Sequence, residues 1–217
     1  MMLNLCFHGV GVCRTERESG EARYWVPEGE FLRILDVVAD RADVRLSFDD
    51  GNLSDREIAL PALVDRGLRA DIFVLAGRLE DPTSLDAPSL RTLRAAGMSI
   101  GSHGWSHTPW RGLGRDEVRR EFYDARERLA EAAGADIRDA AFPLGRYDRH
   151  SLKALRAAGY RTVFTSDRFR ARPSSWMQAR YSITATDTAT SVKALLDRSP
   201  GLQEARNVGA SIVKRWR

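Results

Sequence analysis

Cysteine is scarce in this 217-residue chain: Cys6 and Cys13 are the only two, and neither belongs to a C-x-x-C pair. Two thiols make no disulfide framework, so both are read as reduced. Long apolar runs are missing too. No stretch approaches the roughly 20 residues that span a bilayer, so no transmembrane segment is expected. The start, Met1-Met2-Leu3-Asn4-Leu5-Cys6-Phe7-His8, lacks a basic segment and a long apolar core. It reads as a first strand and not as a signal peptide, which makes the cytoplasm the expected location. Lysine is rare: nearly all the positive charge is arginine, and the net charge is only +4. Acids and bases are interspersed along the helices with no recognition motif, so no nucleic-acid partner is expected. Only Val213-Lys214-Arg215-Trp216-Arg217 is clearly basic, and it reads as a solvated end.

What is present is ordinary material for a globular core, 43% hydrophobic and 29% charged residues. No internal repeat, low-complexity stretch or linker interrupts it, so residues 1–217 are expected to form one domain. Strand-like and helix-like segments alternate, which argues for parallel β-α units. Strands are expected at Leu3–Phe7, Asp43–Phe48, Ala70–Ala76, the run from Met98, Arg138–Phe142, Tyr160–Thr165 and Tyr181–Thr184. Helical spacing covers Glu28–Asp40, Asp55–Arg66, Pro88–Ala96, Asp116–Ala133, Ser151–Ala158 and Ser191–Arg198. Gly67, Gly97, Gly134 and Gly159 stand where four of these helices should stop. Pro61 falls inside the second and is expected to bend or shorten it. Beyond Arg170 the signals weaken.

Chemistry-bearing residues gather where strands should end. Ser47-Phe48-Asp49-Asp50-Gly51 closes one strand, and Ser102-His103-Gly104-Trp105-Ser106-His107 closes another. Two imidazoles and one carboxylate hold a divalent ion in a facial set with open positions for water and substrate. A second carboxylate beside the ion takes a proton from water. One of the two aspartates is therefore expected to ligate and the other to stay free. His103 and His107, four apart, reach one ion from a single turn. Only four histidines exist in the chain, so two in one loop carry weight.

These motifs, followed by Phe142-Pro143-Leu144-Gly145, resemble those of the polysaccharide deacetylases, carbohydrate esterases with the NodB-homology domain. The resemblance covers the chain from about Leu3 to about Asp167. It implies a distorted (β/α) barrel and one divalent metal, commonly zinc, with Co2+, Mn2+ or Ni2+ as alternatives. By this resemblance Asp50, His103 and His107 match the metal ligands and Asp49 the catalytic base. The backbone N–H of Leu144 matches the oxyanion donor, with Pro143 and Gly145 fixing its loop. The implied activity is removal of N-acetyl, less commonly O-acetyl, from a saccharide in polysaccharide or cell-envelope glycan synthesis. The same fold also serves hydrolases of small C–N compounds, and a degenerate member would only bind a saccharide or partner.

The chain departs from the family pattern in three places. The arginine that often pairs with the base is replaced by Ala141, leaving Arg146 or Arg180 to supply the charge. The tyrosine usual before the glycine is Leu144. The late Leu-x-His histidine, the family's general acid, is missing, because no histidine follows His150. His150 starts a helix and reads as exposed. His8, after the first strand, is the better candidate to protonate the leaving amine. Trp105 and Trp110 flank His107 and are candidates for a sugar-stacking wall, with Pro143, Gly145 and Arg146 as further substrate contacts. Asp167 and Trp176 are wrongly spaced for a fourth family motif and take no role.

Overall fold

A computed structural model describes residues 1–216; Arg217, the last residue of the basic tail, lies outside them. Strand β1 (Leu3–Phe7) is followed by a two-residue ribbon of β2 (Gly9–Val10) and β3 (Trp25–Val26), then by helix α1 (Glu28–Val38) and β4 (Val44–Phe48). Helix α2 (Leu60–Asp65), β5 (Ala70–Val74), α3 (Ala87–Ala95), β6 (Ser99–Ser102), α4 (Arg115–Val118), α5 (Ala125–Ala133) and β7 (Asp139–Ala141) come next. The chain continues through α6 (Arg149–Ala157), β8 (Thr162–Thr165), β9 (Met177–Ser182), α7 (Ala189–Asp197) and α8 (Leu202–Trp216).

Seven strands close into a parallel barrel in the order β1-β4-β5-β6-β7-β8-β9, with β9 returning to pair with β1. This is the distorted (β/α) barrel implied by the resemblance. Residue alternation decides what each strand presents to the two sides. On β1 and β4, Leu3, Leu5, Phe7, Leu46 and Phe48 join the large apolar cluster that the helices cover, together with Phe31, Ile34, Leu35 and Val38 of α1. The alternate positions form a polar interior: Asn4 donates to Gln178 at 3.2 Å, and Arg45 pairs with Asp71. Phe73, Ala141 and Phe164 make a separate small apolar cluster.

Three helices start on a side chain that accepts from a first-turn amide: Asp86, Asp148 and Thr188, from Ser89, Ser151 and Ser191. Each such cap stabilises its helix by about 1 kcal/mol. The expected helix Asp116–Ala133 is one continuous element, but Arg119–Asp124 widens to π-type turns between α4 and α5. The same widening at Asp55–Ala59 precedes α2, just before Pro61.

Two sequence expectations need correction, and one element lies outside them. The last strand is Met177–Ser182 and not Tyr181–Thr184. The β2–β3 ribbon was not foreseen, because two-residue strands carry no periodicity. Val213–Trp216 of the basic tail are the last turn of a fifteen-residue helix, in which Lys214 is bonded back to Asp167 of the barrel.

Candidate active site

Asp49 continues the inward alternation of Arg45 and Ser47 past the end of β4. Asp50 would then point outward, but its backbone takes φ 75°, the left-handed region, and Gly51 follows at φ 64°. That reversal brings both carboxylates to the same end of the barrel. His107 and Leu144 also sit in the left-handed region, each at φ 55°. Among the described residues, three of the four non-glycine residues with positive φ therefore lie in the motif loops. Such conformations cost on the order of 1–3 kcal/mol each and persist where the surroundings impose them.

The His103–His107 loop is shaped by Glu121. This buried carboxylate accepts from the amides of Trp105 at 2.7 Å and Ser106 at 3.2 Å, and from the Trp110 indole at 3.3 Å. A side chain at Gly104, φ 87°, would put its Cβ 2.3 Å from the Glu121 carboxylate, so this position needs glycine.

Each histidine ring is held from behind. His103 Nδ1 lies 2.9 Å from the Ala141 carbonyl, and His107 Nδ1 lies 2.7 Å from Glu18. Both Nε2 atoms face Asp50, at 3.5 Å from His103 and 3.4 Å from His107 to the same oxygen, Oδ1. That oxygen is buried and has no hydrogen-bond partner. Two imidazole nitrogens and one unpartnered carboxylate oxygen, all within 4.8 Å of one another, fit a divalent ion such as zinc. The rings' other nitrogens already have the outer partners that ligating histidines usually keep. Burial pushes the His103 imidazole down to about 4 against the pull of Asp49 and Asp50, so it is neutral, as a ligand must be.

Asp49 is gripped by Arg180. Nη1 donates to Oδ1 and Nη2 to Oδ2, both at 2.6 Å, and Nη1 also reaches Ser47 Oγ at 3.2 Å. Arg180 is completely buried, on the inward-facing alternation of β9, with its guanidinium over Phe73 and Phe164. Burial alone would raise the Asp49 carboxyl; Arg180, and after it His103, hold it well below the usual range instead. Asp50 is likewise lowered against its burial, by His8, His107 and His103. The charge missing at Ala141 is thus delivered from β9, by the second of the two arginines that the sequence left open.

The cleft over these groups is lined by His8, Glu18, Tyr24, Arg78, Leu144 and Arg146, among others. His8 stacks on Tyr24 with ring centroids 4.7 Å apart, and its Nδ1 is buried without a partner. Leu144 is 54% exposed at the rim, in a turn where Gly145 N–H donates to Phe142 and Arg146 N–H to Pro143. Pro143 and Gly145, on either side of Leu144 in that turn, are buried and do not line the cleft.

The tryptophan wall is not there. Trp110 is fully buried edge-on against Phe122 and Phe142. Trp105 packs beneath Arg120 and against Gly77, and neither ring lines the cleft. Tyr24 and Phe142 are the aromatic rings that line the cleft; sequence reasoning missed Tyr24, as it missed Glu18. Both lie in the irregular segment between β2 and β3, where no periodicity marks a direction. His150 is exposed at the start of α6 and apart from the cleft.

A family model, that of polysaccharide deacetylase, matches residues 37–163, more than half of the chain. The chain belongs to the polysaccharide deacetylase family. YxkH of Bacillus subtilis (strain 168), whose name carries the same family, is 26% identical over 140 residues, 64% of this chain. The chain spans half the length of that relative. Among solved structures, the deacetylase PplD of Streptococcus pyogenes, in complex with acetate, aligns at TM-score 0.79 and 19% identity. That alignment covers 91% of this chain and 98% of PplD. IcaB from Ammonifex degensii aligns at TM-score 0.74 and 23% identity, over 91% and 97% of the two chains. At these identities the structures share the fold of this deacetylase-family barrel.

Proposed function

We propose that this chain is a metal-dependent hydrolase that removes N-acetyl groups from a saccharide of the cell envelope or of an exported polysaccharide. The observation that carries this reading is the division of labour between the two aspartates. Asp50 faces two imidazole Nε2 atoms with an unpartnered oxygen, while both oxygens of Asp49, 3.9 Å from His103 Nε2 at the nearer, are engaged by Arg180. A zinc or similar ion held by Asp50, His103 and His107 would supply Lewis acidity, lowering the pKa of water and polarising an amide carbonyl.

The chain's own groups divide the remaining work. Asp49 takes the proton of the attacking water as its oxygen bonds to the acetyl carbon. Arg180 keeps that carboxylate ionised and fixes its plane. The Leu144 N–H, in its left-handed turn, receives the oxygen that becomes negative. The C–N bond then breaks, acetate leaves, and His8 delivers a proton to the departing amine. Tyr24 offers an apolar face for the sugar ring, and Arg146 at the rim offers hydrogen bonds to its hydroxyls. The acetate in the PplD structure is the product that this scheme releases.

The test is acetate release from N-acetylglucosamine oligomers by wild type, Asp49→Asn and His103→Ala, with metal content measured for each. Turnover in wild type alone, with metal retained in Asp49→Asn and lost in His103→Ala, is the expected pattern. Metal-loaded wild type that releases no acetate would overturn the substrate class.

A further inference from the structure

Helix α8 is docked the wrong way round for an amphipathic helix. Its polar side faces the barrel: Glu204 pairs with Arg170 at 2.6 Å, Asn207 donates to the Arg168 carbonyl at 2.9 Å, and Ser211 meets the Tyr147 hydroxyl at 2.9 Å. Lys214 completes that side, donating to Asp167 at 2.6 Å and to the Gly145 carbonyl at 3.3 Å. The apolar side faces out. Leu202 is 82% exposed and Trp216 77%, with Val208, Ile212 and Val213 exposed between them. Five of the ten large hydrophobic residues exposed among the described residues lie on this one helix. The face continues into a shallow apolar groove with Met1 and Phe169. An apolar stripe of this kind on a monomer surface marks an interaction site.

Charge identifies the occupant. Arg206 is exposed on α8, and the adjoining segments expose Arg149, Lys153 and Arg156 on α6 and Arg168 and Arg172 beyond β8. From Arg149 to Ser182 and from Pro200 to Trp216 the only acids are Asp167 and Glu204. Both are buried and paired, with Lys214 and Arg170. The exposed surface around the stripe is therefore predominantly cationic; the exposed acids bordering it, Asp43 and Asp197, are both paired with Arg41. A second copy of this chain would bring like charges together, whereas an anionic bilayer complements apolar face and bases at once.

We propose that α8 seats this protein on an anionic lipid surface, with Leu202, Val208, Ile212, Val213 and Trp216 below the headgroups and Arg206 and its neighbours among them. Because Lys214 ties the last turn of α8 to Gly145, the docked face lies beside the turn that carries Leu144. The inference goes beyond the deacetylase reading, and its test needs no turnover.

The full chain is floated with phosphatidylcholine vesicles, with or without about one-third phosphatidylglycerol. Wild type is expected to bind the anionic vesicles, more weakly at high salt, and to leave the neutral ones free. The Ile212→Glu, Trp216→Gln double variant is expected to lose about tenfold or more in partitioning. Arg206→Glu should weaken binding, and Val64→Glu, an equally exposed position on α2, should not. All the positions are exposed, and thermal melts check that each variant folds. Failure of wild type to bind, equal binding to both vesicles, or indifference to the α8 changes would overturn the proposal. So would a concentration-dependent dimer that Ile212→Glu dissolves, since the occupant would then be a second copy.

Discussion

Arg180 holds both oxygens of Asp49 at 2.6 Å from a strand separated from β4 by β1, 131 residues away in sequence. The pair is buried, so removing one partner strands a charge. Arg180→Met is expected to cost about 3 kcal/mol of stability, and the Arg180→Met, Asp49→Asn double variant should recover most of it. Without the guanidinium the Asp49 carboxyl rises, so the acid limb of the kcat/KM profile should move to higher pH. Denaturant melts and a pH–rate series measure the two effects. An acid limb that stays put in Arg180→Met would mean that another group sets it.

Glu18 reaches His107 from the β2–β3 segment and is itself paired with Arg78. A carboxylate behind a ligating histidine fixes the ring and raises its basicity. Glu18→Ala should weaken metal binding by about ten- to a hundredfold, as chelator competition would reveal. Glu18→Gln, which keeps a hydrogen bond, should lose less. Unchanged metal affinity in both would leave Glu18 as a surface partner of Arg78.

Asp49, Asp50, His103 and His107 were legible because rare residue types stood at the ends of apolar-polar runs. Arg180 was visible only as a candidate, because the strand expected at Tyr181–Thr184 began one residue too late to give it a direction. With the strand at Met177–Ser182, alternation turns Arg180 inward. Trp110 was misread because nearness to His107 along the chain says nothing about which side of the loop a ring takes. Helix α8 escaped notice because its polar face is the buried one, which inverts the usual pattern.

Asp55 is fully buried, and neither carboxylate oxygen has a partner. Burial, aided by the nearby Asp50 charge, pushes its carboxyl well above the ordinary value. Above the ordinary carboxylate range the unfolded chain has lost this proton while the native state retains it. Stability therefore falls as pH rises through the raised native value. Asp55→Asn removes the penalty and should stabilise the metal-free protein more at pH about 8 than at pH about 4. Denaturant midpoints at the two pH values decide it; an equal gain at both would place the effect in packing.

Lys214 bridges two parts of the molecule that the chain otherwise keeps apart. It donates to Asp167, which also accepts from the Tyr147 hydroxyl at 2.6 Å, and to the carbonyl of Gly145. Gly145 lies at φ 61°, directly after Leu144 at φ 55°. Gly145 takes that left-handed conformation freely, but Leu144 does not, and Lys214 braces the turn from α8 through the Gly145 carbonyl. Lys214→Met leaves Asp167 with only the Tyr147 hydroxyl and frees the Gly145 carbonyl. If the Leu144 amide stabilises the transition state, loosening its turn should lower kcat by about tenfold while KM and metal content stay close to wild type. Lys214→Arg, which keeps a charged donor, should restore part of the rate. A fall in stability with kcat unchanged would instead make the lysine only a fastening for α8.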